Sequence, residues 1–544
     1  MALQARIVKR GIWLACGAAV VFCALALPNH PDAVQWRALG RWPLEFPVIL
    51  LTMLVVGRLK GVAAALAVAL GIMTLVKLAD IAMFMAYDRS FNPILDMFLL
   101  DAAFNLLSAS IGTVTTIAAA YAAVLAIAIW TLALHRSLLV WANVGLPAMA
   151  RAAAAVCALG LGAWAGADAA YHLDTLELEK SPPGNASTAR LSVEKLRNIR
   201  ETADDLIRFR ALAEQDEFAD AAGLLDRLDG RDVILIWIES YGRASFDNPL
   251  YAPTHLATLA QAEQALASAG LAMRSGWLTS PTAGGQSWLA HGALASGLWT
   301  SDQGRYAAML ASGHKWLFHF AREAGYRTAA IMPAITLAWP EVTAMGFDDV
   351  FPAADIPYQG DPFHWVTMPD QFTLAAYPSL LHGGEQPRFV QVALISSHAP
   401  WVPVPDVIAW DAVGDGRVFN PMAARGPTPR ALWKDRDDVR DAYRKAVNYA
   451  LTVTFEHVAR LGSDAPLVIV AGDHQPAKFV AQSENKDVAL HMVGPPDLIA
   501  AIEAWGWSDG LIPDSESPAR RMDWFRNAFL RAFTSQDALA GRAE

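Results

Sequence analysis

The sequence predicts an N-terminal helical membrane domain followed by a C-terminal α/β domain with a central, mostly parallel sheet. The first prediction rests on uncharged apolar segments, which all occur before about residue 170. The second rests on apolar, β-branched strands that alternate with amphipathic helices after residue 231. Two of these strands are followed by acidic residues, Glu239 and Asp473, which predicts a site at the carboxyl edge of the sheet.

The composition agrees with this division. The 544 residues are 54% hydrophobic and only 18% charged, which is too apolar for one soluble domain and too long for a single core. The net charge of −10 argues against a nucleic-acid partner, because such a partner requires a basic surface. All three cysteines, Cys16, Cys23 and Cys157, lie in the apolar segments, so the C-terminal domain contains no disulfide.

About five transmembrane helices are predicted within a membrane domain at residues 1–170. The first apolar segment also has features of a cleaved signal peptide, but further apolar segments follow it and favour a membrane anchor. The second and fifth segments are shorter than the roughly 20 residues that a span needs. The segments cover residues 12–27, 46–57, 61–76 (with an extension toward 87), 111–134 and 152–167.

Basic residues near the ends of these segments predict the orientation of the chain. Arg6, Lys9 and Arg10 precede the first segment, and basic residues recur near the second, third, fourth and fifth. Their alternation with mixed or acidic loops places the N-terminus in the cytoplasm. Five spans then place everything after residue 170 outside the cytoplasm.

Residues 171–230 are predicted to be a helical linker, and residues 231–544 the extracytoplasmic domain. A Pro-Pro-Gly break at 182–184 and a charged helical pattern at 191–212 define the linker. Residues 88–110 are amphipathic, which is typical of a helix on the membrane surface. The predicted strands of the C-terminal domain are 233–238, 271–277, 326–332, 389–396 and 467–471, and its predicted helices are 255–269, 287–297, 316–324, 438–461 and 520–533.

Metal-ligating residue types follow two of the buried strands. Glu239 follows strand 233–238, where it either turns into solvent or faces a site beyond the strand end. Asp473 and His474 follow strand 467–471. Carboxylate and imidazole ligands suit Zn²⁺, Mn²⁺ or Mg²⁺, so the two strand ends predict a metal site.

A glycine-rich turn at 284–286 precedes a predicted helix that begins at Ser287. The free N–H groups of a helix N-terminus could cradle a phosphate beside a nucleophilic hydroxyl. Ser287 is equally suited to be an ordinary N-cap. A metal in contact with Ser287 would lower the pKa of its hydroxyl and polarise a phosphoryl group.

Four motifs together resemble the sulfatase/alkaline phosphatase superfamily, and within it the membrane-anchored group that is lipoteichoic acid synthase-like or phosphoethanolamine transferase-like. The resemblance covers about residues 231–500. It implies a sulfatase-like catalytic domain on the periplasmic side of a bacterial inner membrane. The motifs are Val-Ile-Leu-Ile-Trp-Ile-Glu-Ser at 233–240, Gly-Gly-x-Ser-Trp at 284–288 with the helix to 297, Ser-Ser-His-Ala-Pro-Trp at 396–401, and Gly-Asp-His-Gln-Pro at 472–476.

The resemblance implies a metal centre with a covalent nucleophile. Glu239, Asp473 and His474 would bind one divalent ion, Zn²⁺ or Mn²⁺, with Mg²⁺ as a further candidate. Ser287 would be the fourth ligand and the nucleophile, since its spacing to the glycine that ends its helix matches sulfatases. Members of this group usually have threonine as the nucleophile, so Thr282, five residues upstream of Ser287, is the alternative nucleophile.

The resemblance also implies residues that contact the substrate. His398 would contact the phosphoryl group or protonate the leaving alcohol, because an imidazole can release a proton near neutral pH. Trp339 and His491 would bind substrate, although His491 also fits an ordinary core imidazole. His291, one helical turn after Ser287, is a weaker candidate, and Asp370 is expected to be a helix cap.

The function that the resemblance implies is head-group transfer. The chain would move phosphoglycerol or phosphoethanolamine from a membrane phospholipid to a glycan or lipid acceptor, through a phospho-serine or phospho-threonine. Sulfate ester hydrolysis is not expected, because the residues after Ser287 lack the proline and arginine that formylglycine formation needs. Two alternatives are a membrane-bound phosphoesterase of the same superfamily and a non-catalytic membrane sensor or scaffold.

Overall fold

The computed structural model describes residues 2–35, 42–57, 59–87, 89–97, 99–173, 175–176, 184–337, 339–381 and 383–535. The chain divides into two compact units, Met1–Asp205 and Leu206–Glu544, and the division falls within residues 171–230. The first unit is helical, and the second is built on a sheet that packs against apolar residues on both faces. This confirms the fold class that the sequence predicts.

Four helical spans in the first unit are long and apolar enough to cross a membrane, and they overlap four of the five predicted segments. The remaining segment forms an apolar helix of only 12 residues. The four spans are Val8–Ala26, Gly61–Met85, Thr113–Ala142 and Ala148–His172. The helices are α1 (Ala2–Ala26), α2 (Glu45–Val56), α3 (Lys60–Tyr87), α4 (Leu99–Ile111), α5 (Thr113–Ala142), α6 (Ala148–His172) and α7 (Ser187–Ala213).

Small residues allow the membrane helices of the first unit to approach one another closely. A Cβ at Gly71 of α3 would lie 2.7 Å from Thr131 Oγ1 of α5. A Cβ at Gly17 of α1 would lie 3.3 Å from the carbonyl oxygen of Ser137, also on α5. Helices associate in lipid largely through such small-residue contacts, so α5 is a packing partner for both α1 and α3.

A nine-stranded mixed sheet forms the centre of the second unit. Its strand order is β4-β3-β5-β1-β6-β7-β2-β8, and β9 pairs with β2. The strands are β1 (Val233–Ile238), β2 (Ala272–Thr279), β3 (Arg327–Met332), β4 (Asp349–Pro352), β5 (Arg388–Ala393), β6 (Leu467–Gly472), β7 (Asp487–Gly494), β8 (Ser508–Asp509) and β9 (Arg520–Arg521).

The helices of the second unit are short except for two that pack on each other. These two are α9 (Ala252–Ser268) and α16 (Arg436–Arg460). The others are α8 (Ala244–Asp247), α10 (Ser287–Ser296), α11 (Gln303–Ala311), α12 (Leu317–Glu323), α13 (Asp370–Leu380), α14 (Asn420–Ala423), α15 (Pro429–Leu432), α17 (Lys478–Ala481), α18 (Pro496–Ala500) and α19 (Phe525–Ala532).

The central strands β1 and β6 run parallel, and the last residues of the two strands, Ile238 and Gly472, lie opposite each other. Every residue of both strands is buried. Alternate residues of β1 enter opposite core clusters, with Leu235 on one face and Ile236 on the other. Because the strands are parallel and in step, the residues that follow them emerge at the same edge of the sheet.

Four strands, β4, β7, β8 and β9, are not among those predicted from the sequence. β7 is an eight-residue strand that pairs antiparallel with both β6 and β2. Its apolar run is interrupted by His491, which obscured the strand pattern. β8 and β9 are two residues each, too short for any alternation to be visible. The predicted helix 520–533 is in fact β9 followed by a helix that begins at Phe525.

Candidate metal centre

Glu239 is held at a sharp turn directly after β1. The next residue, Ser240, has a φ of +58°, a left-handed conformation that residues other than glycine rarely adopt. Two hydrogen bonds hold this turn: the Ser240 N–H donates to Asp473 Oδ1 at 2.8 Å, and the Tyr443 hydroxyl donates to the Ser240 carbonyl at 2.9 Å. The turn therefore points the Glu239 side chain toward the segment that follows β6.

Asp473 and His474 follow β6 and are almost completely buried. Asp473 Oδ1 also accepts from the His474 N–H at 2.6 Å. The Nδ1 atom of His474 lies 2.8 Å from the Gln475 carbonyl, which can only accept a hydrogen bond, so Nδ1 carries the proton. This arrangement frees Nε2 for a metal ion, as second-shell hydrogen bonds commonly do for metal-binding histidines.

Ser287 is the first residue of α10, and its side chain faces Glu239 and His474. Its Oγ lies 3.1 Å from Glu239 Oε2 and 3.2 Å from His474 Nε2. Gln286, with a φ of +64°, occupies the cap position, so Ser287 does not have the N-cap role that the sequence left open. The preceding turn is tied to the β6 side of the site, because the Gly284 N–H donates to the Gln475 carbonyl at 2.8 Å.

Thr282, the alternative nucleophile, is buried within the same turn. Its hydroxyl donates to the Gly285 carbonyl at 2.7 Å. In the described part of the chain, the Ser287 hydroxyl lies within hydrogen-bond distance of Glu239 and His474, whereas the Thr282 hydroxyl bonds to the Gly285 carbonyl. The geometry therefore favours Ser287 over Thr282 as the candidate nucleophile.

The side chains fit a divalent cation. Ligand atoms of Glu239, Asp473 and His474 all lie within 4.8 Å of one another. Two carboxylates, one imidazole and a hydroxyl form a ligand set that suits Zn²⁺ or Mn²⁺ and also offers oxygens for Mg²⁺. These residues would hold the ion, and the buried Asp473 and His474 would anchor it from the protein side.

The charges in this cluster depend strongly on one another. Burial and the charge of Glu239 raise the pKa of Asp473. Burial opposes the ionisation of Glu239, but the hydrogen bond and charge of His474, with the charge of His398, outweigh it and lower the pKa of Glu239. Burial also opposes the charging of His474, yet Asp473 and Glu239 raise the pKa of its imidazole. The cluster therefore favours bound positive charge. In the absence of a metal ion protons supply that charge, and a metal ion would replace them.

His398 is an exposed residue in the otherwise buried segment that follows β5. Its neighbour Ser397 is buried and donates to the Glu239 carbonyl at 2.6 Å. The charge of the His398 imidazole contributes to the lowered pKa of Glu239. The position suits a group that exchanges protons with a substrate at the mouth of the site.

Asp370 differs from its expected role as a helix cap. It is the first residue of α13, but its carboxylate accepts from the backbone N–H groups of Ile395 and Ser396, both at 2.8 Å. The Asp370 N–H in turn donates to the Ser396 hydroxyl at 2.9 Å. Burial raises the pKa of Asp370 to about 6. Asp370 thus holds the loop that carries His398, a role that sequence spacing could not reveal.

Three further candidates lie outside this group of contacts. His491 is buried in β7, with Nδ1 2.8 Å from the Ser275 hydroxyl and Nε2 3.2 Å from the Tyr241 hydroxyl, and burial lowers its pKa to about 3. Both of its ring nitrogens are therefore engaged within the protein. Trp339 is half-buried and packs against the apolar core. His291 stacks on Trp237 of β1, with ring centroids 4.2 Å apart.

The domain that carries this centre matches a known family. Residues 231–486 match the family model described as Sulfatase. No curated protein is significantly similar to the chain.

Several solved structures are similar to the chain at low sequence identity. The lipooligosaccharide phosphoethanolamine transferase A (EptA) of Neisseria meningitidis is 14% identical, with a TM-score of 0.47 and 95% of each chain covered. The lipoteichoic acid synthase LtaP of Listeria monocytogenes is 14% identical, with a TM-score of 0.32, 54% of this chain and 71% of that chain covered. The phosphoglycerol transferase GacH of Streptococcus pyogenes is 12% identical, with a TM-score of 0.35, 63% of this chain and 94% of that chain covered. The match to the Sulfatase family model falls on residues 231–486, the part of the chain in which the four motifs predicted a sulfatase-like domain.

Proposed function

We propose that the protein is a metal-dependent phosphotransferase that moves a phosphoglycerol or phosphoethanolamine head group from a membrane phospholipid to a glycan or lipid acceptor. One observation carries the proposal: the Ser287 hydroxyl lies within 3.2 Å of Glu239 and His474, two members of a group suited to a divalent cation. The membrane helices of the same chain support a substrate that resides in the bilayer. We further propose that the catalytic domain is extracytoplasmic, on the basis of the basic residues near the helix ends.

In the first half of the reaction, the ionised Oγ of Ser287, whose proton has already been lost to solvent, attacks the phosphorus of the lipid head group. A bond forms between Ser287 Oγ and phosphorus, and the bond from phosphorus to the diacylglycerol oxygen breaks. His398 donates the proton that the departing oxygen requires. A divalent ion held by Glu239, Asp473 and His474 would favour the ionised hydroxyl and neutralise charge on the phosphoryl oxygens.

In the second half, an acceptor hydroxyl attacks the phospho-serine. Its proton passes to His398, its oxygen bonds to phosphorus to form the new phosphodiester, and the bond from phosphorus to Ser287 Oγ breaks, which returns Ser287 to the ionised form with which the cycle began. The exposed position of His398 allows it to serve both halves, because leaving group and acceptor approach from the open side of the cluster. A water molecule in place of the acceptor would make the same site a phosphoesterase.

The test is mass spectrometry of the full chain after incubation with vesicles of phosphatidylglycerol or phosphatidylethanolamine. We expect an adduct on Ser287 whose mass identifies the head group. Ser287→Ala should lose both the adduct and head-group transfer, whereas Thr282→Val should keep them. Transfer by Ser287→Ala at the wild-type rate would refute the mechanism. Release of the free head group in the presence of a glycan acceptor would favour the phosphoesterase.

A further inference from the structure

A cavity of about 550 Å³ lies within the first unit, where α1 ends and α7 begins. Its volume is in the range of small-molecule sites. The residues that line it come from the end of α1 and the following loop, from α3, and from the start of α7. Leu25 and Ala26 are the last residues of the span Val8–Ala26, so in a bilayer the end of that span would bring the cavity toward the boundary between acyl chains and head groups.

The lining combines apolar and polar side chains. Leu25, Leu27 and Leu191 contribute the apolar part. Asn29, Asn185 and Ser187 are among the polar residues, which can donate hydrogen bonds. A ligand that matches this lining has a polar head beside an apolar segment.

The charge inside the cavity is positive. Lys77 of α3 and Arg190 of α7 both line it. The acidic residue in the lining, Asp32, has a side chain that is 93% exposed, so its carboxylate faces solvent. Arg190 forms no ion pair with any residue that the structure describes. The lining therefore offers a cation without a protein counter-ion.

Two nearby buried carboxylates accept hydrogen bonds from groups other than Arg190. Asp80 forms an ion pair with Lys195 at 2.6 Å and accepts from the Phe91 N–H at 2.8 Å. Glu45, outside the lining, accepts from the Ala189 N–H at 2.8 Å through Oε1, while its buried Oε2 has no hydrogen-bond partner among the described residues. These contacts leave Arg190 as the guanidinium that a ligand can reach.

Lys77 is more constrained than Arg190. Its ammonium group donates to the Leu25 carbonyl at 2.9 Å, the Ala24 carbonyl at 3.3 Å and the Thr188 hydroxyl at 2.8 Å. It thus neutralises the C-terminal end of α1, where a cation is favourable. Lys77 contributes charge to the cavity, while Arg190 retains free donors.

We propose that this cavity binds the phosphate of a phospholipid head group, with Arg190 as its principal ligand. Guanidinium groups bind phosphate oxygens in a bidentate geometry, and the neighbouring amides complete the polar part of the site. The apolar part would contact the first carbons of the acyl chains. The proposal concerns binding alone, so it stands or falls independently of the Ser287 chemistry.

The experiment is native mass spectrometry of the full chain in detergent, titrated with phosphatidylglycerol. The Ser287→Ala background prevents consumption of the lipid. We expect Arg190→Ala to weaken binding at least tenfold and Arg190→Lys to weaken it less. Arg197→Ala is the matched control, because Arg197 lies on the same helix and pairs with Glu201 at 3.5 Å outside the cavity. Its affinity should equal that of the parent chain.

Two further ligands identify what the cavity recognises. Diacylglycerol carries the acyl chains without phosphate, and inorganic phosphate carries the anion without the chains. We expect neither to bind with the affinity of phosphatidylglycerol. Equal binding by diacylglycerol, equal binding by inorganic phosphate, or equal affinity in Arg190→Ala and Arg197→Ala would overturn the proposal. If Arg190→Ala does not fold, a comparison of Arg190→Lys with Arg190→Gln decides the same question.

Discussion

Glu239 and Asp473 contribute the negative charge of the candidate metal centre, and neither can be replaced by its amide without changing that charge. Glu239→Gln or Asp473→Asn keeps the size of the side chain but removes a metal ligand of full charge. We expect each substitution to lower the affinity for the metal at least tenfold. Loss of a direct ligand should cost no less than the 10–100-fold loss of affinity that is typical when a second-shell residue is changed. Metal content by mass spectrometry measures this. The exposed Asp464→Asn should retain full occupancy, and full occupancy in Glu239→Gln would contradict the ligand assignment.

The buried carboxyl group of Asp370 should make the free energy of unfolding depend on pH. Burial raises its folded-state pKa from 3.8 to about 6. Between these values the folded state binds the proton more readily than the unfolded state, so stability falls as the pH rises from about 4 to about 6. The shift corresponds to about 3 kcal/mol at pH 7.

The variant Asp370→Asn tests this effect, because the amide oxygen can still accept from Ile395 and Ser396. Denaturant unfolding of the full chain in detergent should show less loss of stability from pH 4 to pH 7 than in the wild type. Asp464→Asn should behave like the wild type. An identical pH profile for wild type and Asp370→Asn would show that Asp370 does not titrate in this range.

At the scale of secondary-structure elements, the site depends on how closely β6 approaches the turn after β1. A Cβ at Gly472 would lie 1.7 Å from the Tyr241 carbonyl oxygen. Gly494 is likewise the last residue of its strand, β7, but a Cβ there would lie 3.5 Å from its nearest neighbour. The two glycines therefore allow a matched comparison.

We expect Gly472→Ala to cost about 3 kcal/mol of folding free energy, because the backbone must move to admit the methyl group. The same movement would separate Glu239 from Asp473 and reduce metal binding. Gly494→Ala should change neither quantity appreciably. Denaturant unfolding and metal content measure the two effects. Wild-type metal occupancy in Gly472→Ala would show that the close approach is not required.

The parts of this fold that the sequence predicts are those with local causes. β1 and β6 are fully buried strands, and such strands appear as uninterrupted apolar runs, so their bounds agree with prediction to within one residue. β7 was missed because the partners of His491, Ser275 and Tyr241, lie more than 200 residues away along the chain. Only the tertiary structure shows that this imidazole is compatible with a strand.

In the candidate site, too, the features that could be predicted from the sequence are those with local causes. Glu239 and Asp473 could be placed at one edge of the sheet because both follow parallel strands. The contact of Ser287 with them depends on the left-handed conformation at Gln286 and on the Gly284–Gln475 hydrogen bond. Neither feature has a reliable signature in the sequence. For this reason the sequence alone could not separate Ser287 from Thr282.

At the scale of the whole molecule, the two units have separate apolar cores. We therefore expect a chain of residues 206–544 to fold and to bind metal without the membrane helices. It should form the Ser287 adduct with a water-soluble short-chain phospholipid. Transfer from phospholipid in vesicles should fall roughly a hundredfold, because the anchor no longer keeps enzyme and lipid together. Rates with labelled vesicles measure this, and an unchanged rate would show that the anchor does not supply the substrate.

The pairing of β1 with β6 has a consequence for biosynthesis. The two carboxylates that follow these strands are separated by more than 230 residues, so the nascent chain holds no metal centre until nearly all of it has left the ribosome. Under the proposed mechanism, a prematurely terminated product that lacks Asp473 would be inert toward lipids, even with its hydrophobic helices already inserted.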